Sequence, residues 1–206
     1  SSTANNITDN TGCKELTYIF TRGTSETGNM GAIIGPEVVS DLKSLSSNKI
    51  TVQDDNTNMG TSGGSTMTSL VKQAISQNPN TNIVVSGYSQ GAVIVHNTAS
   101  QLSSGEIQAA VLFSDPLKAE LANTLDSSKV KKFCATGNPV CKNGSDVMAH
   151  LFYSDDTQTA AQFLVSAVSF KILSRTQVYS LSYEGRVQGN IDNKKQLYLR
   201  LVLWYI

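Results

Sequence analysis

Short, continuously apolar runs alternate along most of this chain with longer segments whose apolar positions recur every three or four residues. "KELTYIFTRG" (14–23) is rich in β-branched and aromatic residues and stops at Gly23, which predicts a strand. "GPEVVSDLKSLSS" (35–47) sets Val38, Val39, Leu42 and Leu45 at helical spacing behind an early Pro36. "KITVQ" (49–53) predicts a second strand, and the polar "DDNTNMGTSGGS" a loop. Met67, Leu70, Val71, Ala74 and Ile75 then mark the apolar face of a helix that ends before Pro79. "NIVVSG" (82–87) reads as a third strand and "QGAVIVHNTASQL" (90–102) as a largely buried helix. "IQAAVLFSDP" (107–116) and "KVKKFCATG" (129–137) supply two more strands. "DDTQTAAQFLVSAVSF" (155–170) closes with a helix whose acidic start suits the helix dipole.

Strands alternating with helices, and apolar along their whole length, predict an α/β fold whose parallel sheet is covered on both faces. Sites in such sheets form on the loops after the strands. Residues 171–206 break the rhythm. They carry six basic against two acidic residues, and "QLYLRLVLWYI" fits an edge strand or a short helix. No functional reading attaches to this tail.

Composition narrows the classes. The net charge is zero, with 16 basic and 16 acidic residues, so the footprint that phosphate binding needs is missing and nucleic acid is not expected as a partner. No apolar run approaches the ~18 residues of a membrane span. The polar "SSTANNITDN" reads as the start of a mature chain. Cys134 and Cys141 bracket six residues, a spacing that suits a short-loop disulfide; a zinc site would need further close Cys or His, so no metal is expected. With acceptor triplets at Asn6 and Asn143, the cysteine pair points to a secreted, extracellular protein. Cys13 is left over.

"GYSQG" (87–91) fits G-x-S-x-G, between a predicted strand and a predicted helix. The small flanking residues let the backbone turn sharply, so that the Ser89 hydroxyl stands clear of the sheet as a nucleophile. The Gln90 amide, opening the helix, can donate to an oxyanion. Two histidines are available as base. His96 lies seven residues along the same helix, about 10 Å away at the helical rise, and reads as a helix-face residue. His150 follows the last strand, in the order serine, acid, histidine.

"RGTSETGN" (22–29), "GYSQG", "FCATGNPVC" (133–141) and His150 resemble the corresponding segments of the cutinase family of fungal secreted serine esterases, over about Leu16 to Phe170. The resemblance implies a lidless α/β-hydrolase: a three-layer α/β/α sandwich with a five-stranded central parallel sheet over 16–170, after an N-terminal extension (1–15). It makes Ser89 the nucleophile and His150 the base. Thr24 takes the oxyanion-hole position, its hydroxyl and amide joining the Gln90 amide.

Three departures stand out. The family's C-x-x-G-D-x-V-C is here Cys134-Ala-Thr-Gly-Asn138-Pro-Val-Cys141, so Asn138 fills the acid slot. Asparagine can accept a hydrogen bond from imidazole but brings no charge, and the same exchange in a serine protease costs ~10⁴ in kcat. Asp146 is a possible substitute acid, and Asp115 a third choice. The family's first disulfide partner aligns with Asn78, which leaves Cys13 free. Finally, the loop before the second helix is short and polar, and only Val147, Met148 and Ala149 are apolar before His150, which favours small soluble esters over waxy polymer. The expected protein is therefore a monomeric, cofactor-free esterase acting on cutin-like polyester, short acyl esters or acetylated polysaccharide. The competing expectations are an impaired relative acting as a binding or effector protein, an acetylxylan esterase, and an unrelated flavodoxin-like domain.

Overall fold

The computed structural model describes residues 3–55, 63–118 and 125–168. The expectations for the 171–206 tail and for most of the polar loop after the second strand lie outside these residues. Five strands form one parallel sheet: β1 (Leu16–Thr21), β2 (Ile50–Asp54), β3 (Asn82–Tyr88), β4 (Ala109–Phe113) and β5 (Val130–Phe133), in the order β2-β1-β3-β4-β5. Helices α1 (Gly35–Leu45), α2 (Gly63–Gln77), α3 (Gln90–Gln101), the single turn α4 (Pro139–Lys142) and α5 (157–168) connect and cover them.

The period of two along the strands sorts side chains onto two faces. Tyr18, Phe20, Val84, Val111 and Phe113 join Val38 and Leu42 of α1 and Leu164 of α5 in one core. Ile19, Ile83, Val85 and Leu112 join α2 and α3 through Met67, Val71, Ala92 and Val95 in the other. The result is the expected three-layer sandwich. β1, β2, β3 and β4 are buried at every position, which is why they are dominated by apolar and β-branched residues rather than alternating with charged ones. β1, β4 and β5 are shorter than the predicted runs, whereas β2 and β3 are not: β1 stops at Thr21, where the chain leaves for the loop that carries Thr24.

The N-terminal segment closes the sheet's β2 edge, a use the sequence did not signal. Asn5 bridges Gln53, the Asn6 amide N–H donates to the Val52 carbonyl at 3.1 Å, and Asn6 Oδ1 accepts from the Val52 N–H at 3.0 Å. Ile7 is fully buried beside α2. These contacts satisfy backbone groups that an open edge would present to another chain. The Asn6 side chain is thereby committed to the sheet edge, whereas Asn143 lies exposed. No helix among the described residues is long and apolar enough to cross a membrane.

Candidate active site

Ser89 sits where β3 becomes α3. Its φ of 54° and ψ of −116° are sparsely populated for a side-chain-bearing residue and cost about 1–3 kcal/mol. Neighbours hold the turn in place. The Ser89 N–H donates to the Phe113 carbonyl at 2.9 Å, and the Ala92 N–H returns to the Ser89 carbonyl at 3.0 Å. The flanking glycines are required by space: a methyl on Gly87 would meet the Gly91 carbonyl, and one on Gly91 the Thr21 carbonyl. Ser89 is half-buried, at the carboxyl edge of the sheet.

β1 lies beside β3 with Thr21 opposite Gly87, so the loop after β1 faces the start of α3. There the Thr24 hydroxyl donates to Gln90 Oε1 at 2.7 Å. Sequence reasoning aimed that hydroxyl at an oxyanion; the structure instead uses it to tie together the two segments that carry the Thr24 and Gln90 amides. Glu26 organises the loop. Its Oε2 accepts from the Gly23 N–H at 2.8 Å, its Oε1 from the Ala32 and Ile33 N–H groups at 2.9 Å each, and Arg22 donates to its carbonyl. The sequence offered one clue to this role, a lone acidic residue inside a Gly- and Thr-rich loop.

His150 is brought to the elbow by Tyr88, the residue before Ser89. The two rings stack with centroids 5.1 Å apart, and the Tyr88 hydroxyl donates to the His150 carbonyl at 2.8 Å. Burial holds the imidazole below its ordinary value of 6.5, partly opposed by the Glu26 carboxylate. His96 is elsewhere, paired with Asp115 at 2.9 Å, with Lys132 at 3.4 Å from the same carboxylate oxygen. Burial alone would raise the Asp115 carboxyl, but the bonds and charges of His96 and Lys132 prevail and lower it. Asp115 is thus committed to His96.

Around His150 Nδ1 the arrangement differs from expectation. Asp146 is not brought to the ring: its Oδ1 accepts from the Met148 and Ala149 N–H groups at 2.9 and 3.3 Å, capping the turn before His150. Asn138 is completely buried in the acid slot but does not accept from the imidazole. Its Oδ1 is taken by the Val140 N–H at 2.8 Å, so its amide nitrogen faces inward, 3.4 Å from Nδ1. The close partner of Nδ1 is Ser114, whose Oγ lies 2.7 Å away. Ser114 was absent from the sequence-based site; only its place at the end of a strand could have suggested it.

The rim is more apolar than the sequence suggested. Val147 (69% exposed), Met148 (53%), Leu151 (40%) and Phe152 (63%) flank His150, while Ala149 turns inward. Cys134 and Cys141 are disulfide-bonded, with Cα atoms 6.0 Å apart, and clamp the Asn138 loop. Cys13 carries no disulfide, and Asn78 lies against it.

A parallel sheet of this order, with a strained serine between strand and helix and a histidine stacked on the residue before it, defines an α/β-hydrolase of the serine type. Residues 12–168 match the cutinase family model. Cutinase 4 of Emericella nidulans is 55% identical over 175 residues, covering 81% of this chain and 78% of that protein. A cutinase of Monilinia fructicola is 37% identical, covering 74% and 82%. The structure of a Trichoderma reesei cutinase in complex with a phosphonate inhibitor superimposes with a TM-score of 0.72 at 34% identity, covering 82% of this chain and 80% of that one. The catalytic core domain of acetyl xylan esterase from the same organism shares the fold, with a TM-score of 0.58 at 21% identity and coverage of 75% and 99%. The chain belongs to the cutinase family and is a serine carboxylic ester hydrolase.

Proposed function

We propose that Ser89 Oγ attacks the carbonyl carbon of a carboxylic ester while His150 Nε2 takes the hydroxyl proton. The oxyanion of the tetrahedral intermediate is met by the Gln90 and Thr24 backbone amides, held in register by the bond between their side chains. Collapse breaks the bond to the alcohol, which leaves with the proton from His150. Water then attacks the acyl-enzyme, with His150 as base again, and releases the acid and free Ser89. The reading is carried by one observation: a serine at φ 54° with an imidazole stacked on the residue before it.

The substrates we assign are cutin-like polyester and short acyl esters. The four exposed apolar side chains around His150 support acyl chains or a waxy surface more than an acetylated polysaccharide, whose hydroxyls they could not satisfy. The disulfide supports action in an oxidising, extracellular setting, and the site needs no second chain, which fits a monomer.

The test is hydrolysis of p-nitrophenyl butyrate by the wild type, Ser89→Ala, His150→Ala and Asn138→Asp. Both alanine variants should lose turnover by about 10³-fold or more. Asn138→Asp should gain it, because a carboxylate would accept the hydrogen bond of the Nδ1–H and stabilise the imidazolium with its charge. Wild-type turnover in Ser89→Ala would remove the serine mechanism.

A further inference from the structure

We propose that Ser114 is the positioning residue for His150: its hydroxyl oxygen, rather than Asn138, accepts the hydrogen bond of the Nδ1–H and so leaves Nε2 free to act on Ser89. The inference rests on the Ser89–His150 reading above. The orientation of Asn138 comes first. Pro139 opens α4 and has no N–H, so the first donor the helix offers is that of Val140, and Asn138 Oδ1 caps it at 2.8 Å. The amide NH₂ must then point inward. Its two protons have close acceptors in Tyr153 Oη at 2.8 Å and Ser114 Oγ at 2.9 Å. It lies 3.4 Å from His150 Nδ1, but it is a donor there and cannot take a proton from the ring.

The mechanism needs an acceptor at that place. Once Nε2 has taken the Ser89 proton, both ring nitrogens carry hydrogen, and an unsatisfied Nδ1–H on a partly buried imidazolium is costly. Ser114 Oγ, 2.7 Å from Nδ1, answers this need. A hydroxyl has two lone pairs and one hydrogen that rotates. With the ring protonated at Nδ1, one lone pair accepts the Asn138 N–H, the other the Nδ1–H, and the hydroxyl hydrogen turns away from the ring. The Asn138 donation fixes the hydroxyl's position, so the residue in the acid slot acts one step removed.

Ser114 is built to hold this place. It is completely buried, and its N–H donates to the Phe133 carbonyl at 2.8 Å. Its φ of 51° turns the chain sharply off β4 between Phe113, stacked on Phe133, and Asp115, tied to His96. Both sides of the turn are anchored, which pins the hydroxyl against the ring.

A double-mutant cycle tests this, using wild type, Ser114→Ala, Asn138→Asp and the double variant in the p-nitrophenyl butyrate assay. Ser114→Ala should lower kcat by about 10- to 100-fold, the worth of a hydrogen bond to a charged group, with KM unchanged within about twofold. In the Asn138→Asp background the same change should cost no more than about threefold, because a carboxylate oxygen can accept from Nδ1 directly. Long-range ¹H–¹⁵N spectra of the wild type should show neutral His150 protonated at Nδ1. The proposal is overturned if Ser114→Ala keeps or raises kcat, if its cost is equal in both backgrounds, or if the proton sits on Nε2. Should Ser114→Ala not fold, Ser114→Gly, suited to the positive φ, takes its place in the cycle. Turnover surviving in His150→Ala would instead strike the underlying Ser89–His150 reading, whatever the cycle shows.

Discussion

Asn78→Cys should rebuild a crosslink across the amino edge of the sheet. Asn78 follows α2, and its amide nitrogen lies 3.0 Å from the Cys13 carbonyl and 3.3 Å from that of Lys14. A cysteine there would lie beside the backbone of Cys13, 65 positions away along the chain. The free Cys13 thiol now donates to Gln77 Oε1 at 3.2 Å and would have to turn to meet it. Closing a loop of that length in the unfolded chain contributes about 4 kcal/mol on the chain-entropy account. Against this stand the two bonds to carbonyls and the one Asn78 Oδ1 accepts from the Asn80 N–H, partly solvent-exposed and together worth about 1–2 kcal/mol. The net gain of about 2–3 kcal/mol corresponds to a rise in Tm of about 5–10 °C for a domain of this size. Differential scanning calorimetry of the oxidised variant measures it, with Asn78→Ser as a control for the lost bonds and thiol titration of the denatured protein to confirm that no free cysteine remains. Ester hydrolysis should be unchanged, because both positions precede their strands while Ser89 follows one. A fully oxidised Asn78→Cys with Tm within about 2 °C of wild type would refute the reasoning.

Three further changes probe the interior. Asp54 is buried, and burial together with the charge of its neighbour Asp55 pushes its carboxyl up to about 8. The folded state then holds a proton that the unfolded chain releases from about pH 4 upward, so wild-type stability should fall as pH rises from about 4 to 8. Asp54→Asn should remove that slope, and a Tm difference between the two proteins that does not vary with pH would contradict it. Glu26→Gln places an NH₂ against backbone N–H donors and removes the charge that raises the His150 imidazole. It should lower kcat and shift the acid limb of kcat/KM to lower pH than in the wild type; a shift upward would contradict the assignment. Gly91→Ala pushes a methyl into the Thr21 carbonyl at the end of β1, at a cost of about 1–3 kcal/mol. Its turnover should fall more than its Tm suggests, since β1 carries the oxyanion loop; unaltered kcat would show that the loop tolerates the displacement.

What the sequence disclosed follows from how far each feature depends on local pattern. The sheet was legible because four of its five strands, β1 to β4, are buried on both faces, and the elbow because G-x-S-x-G meets a local steric demand that two carbonyls enforce here. His150 was found by chain order, since His96 shares a helix with the serine and cannot turn back to it. Ser114 and the N-terminal cover of β2 were not legible, and Glu26 was marked only by being the lone acidic residue of its loop, because each acts through partners brought near by the fold. The rim was misjudged because only the residues before His150 were counted, whereas Leu151 and Phe152 after it complete the apolar surface. Asn138 lies between these cases. Its identity marked the departure from the family, but its effect depends on which end of the amide meets the ring. The next residue decides that: Pro139 has no N–H, the Val140 N–H claims the Asn138 oxygen, and the nitrogen is left for Ser114. The Asn-Pro dipeptide already contained that orientation, as a capping signal; reading Asn138 only as a weakened aspartate hid it.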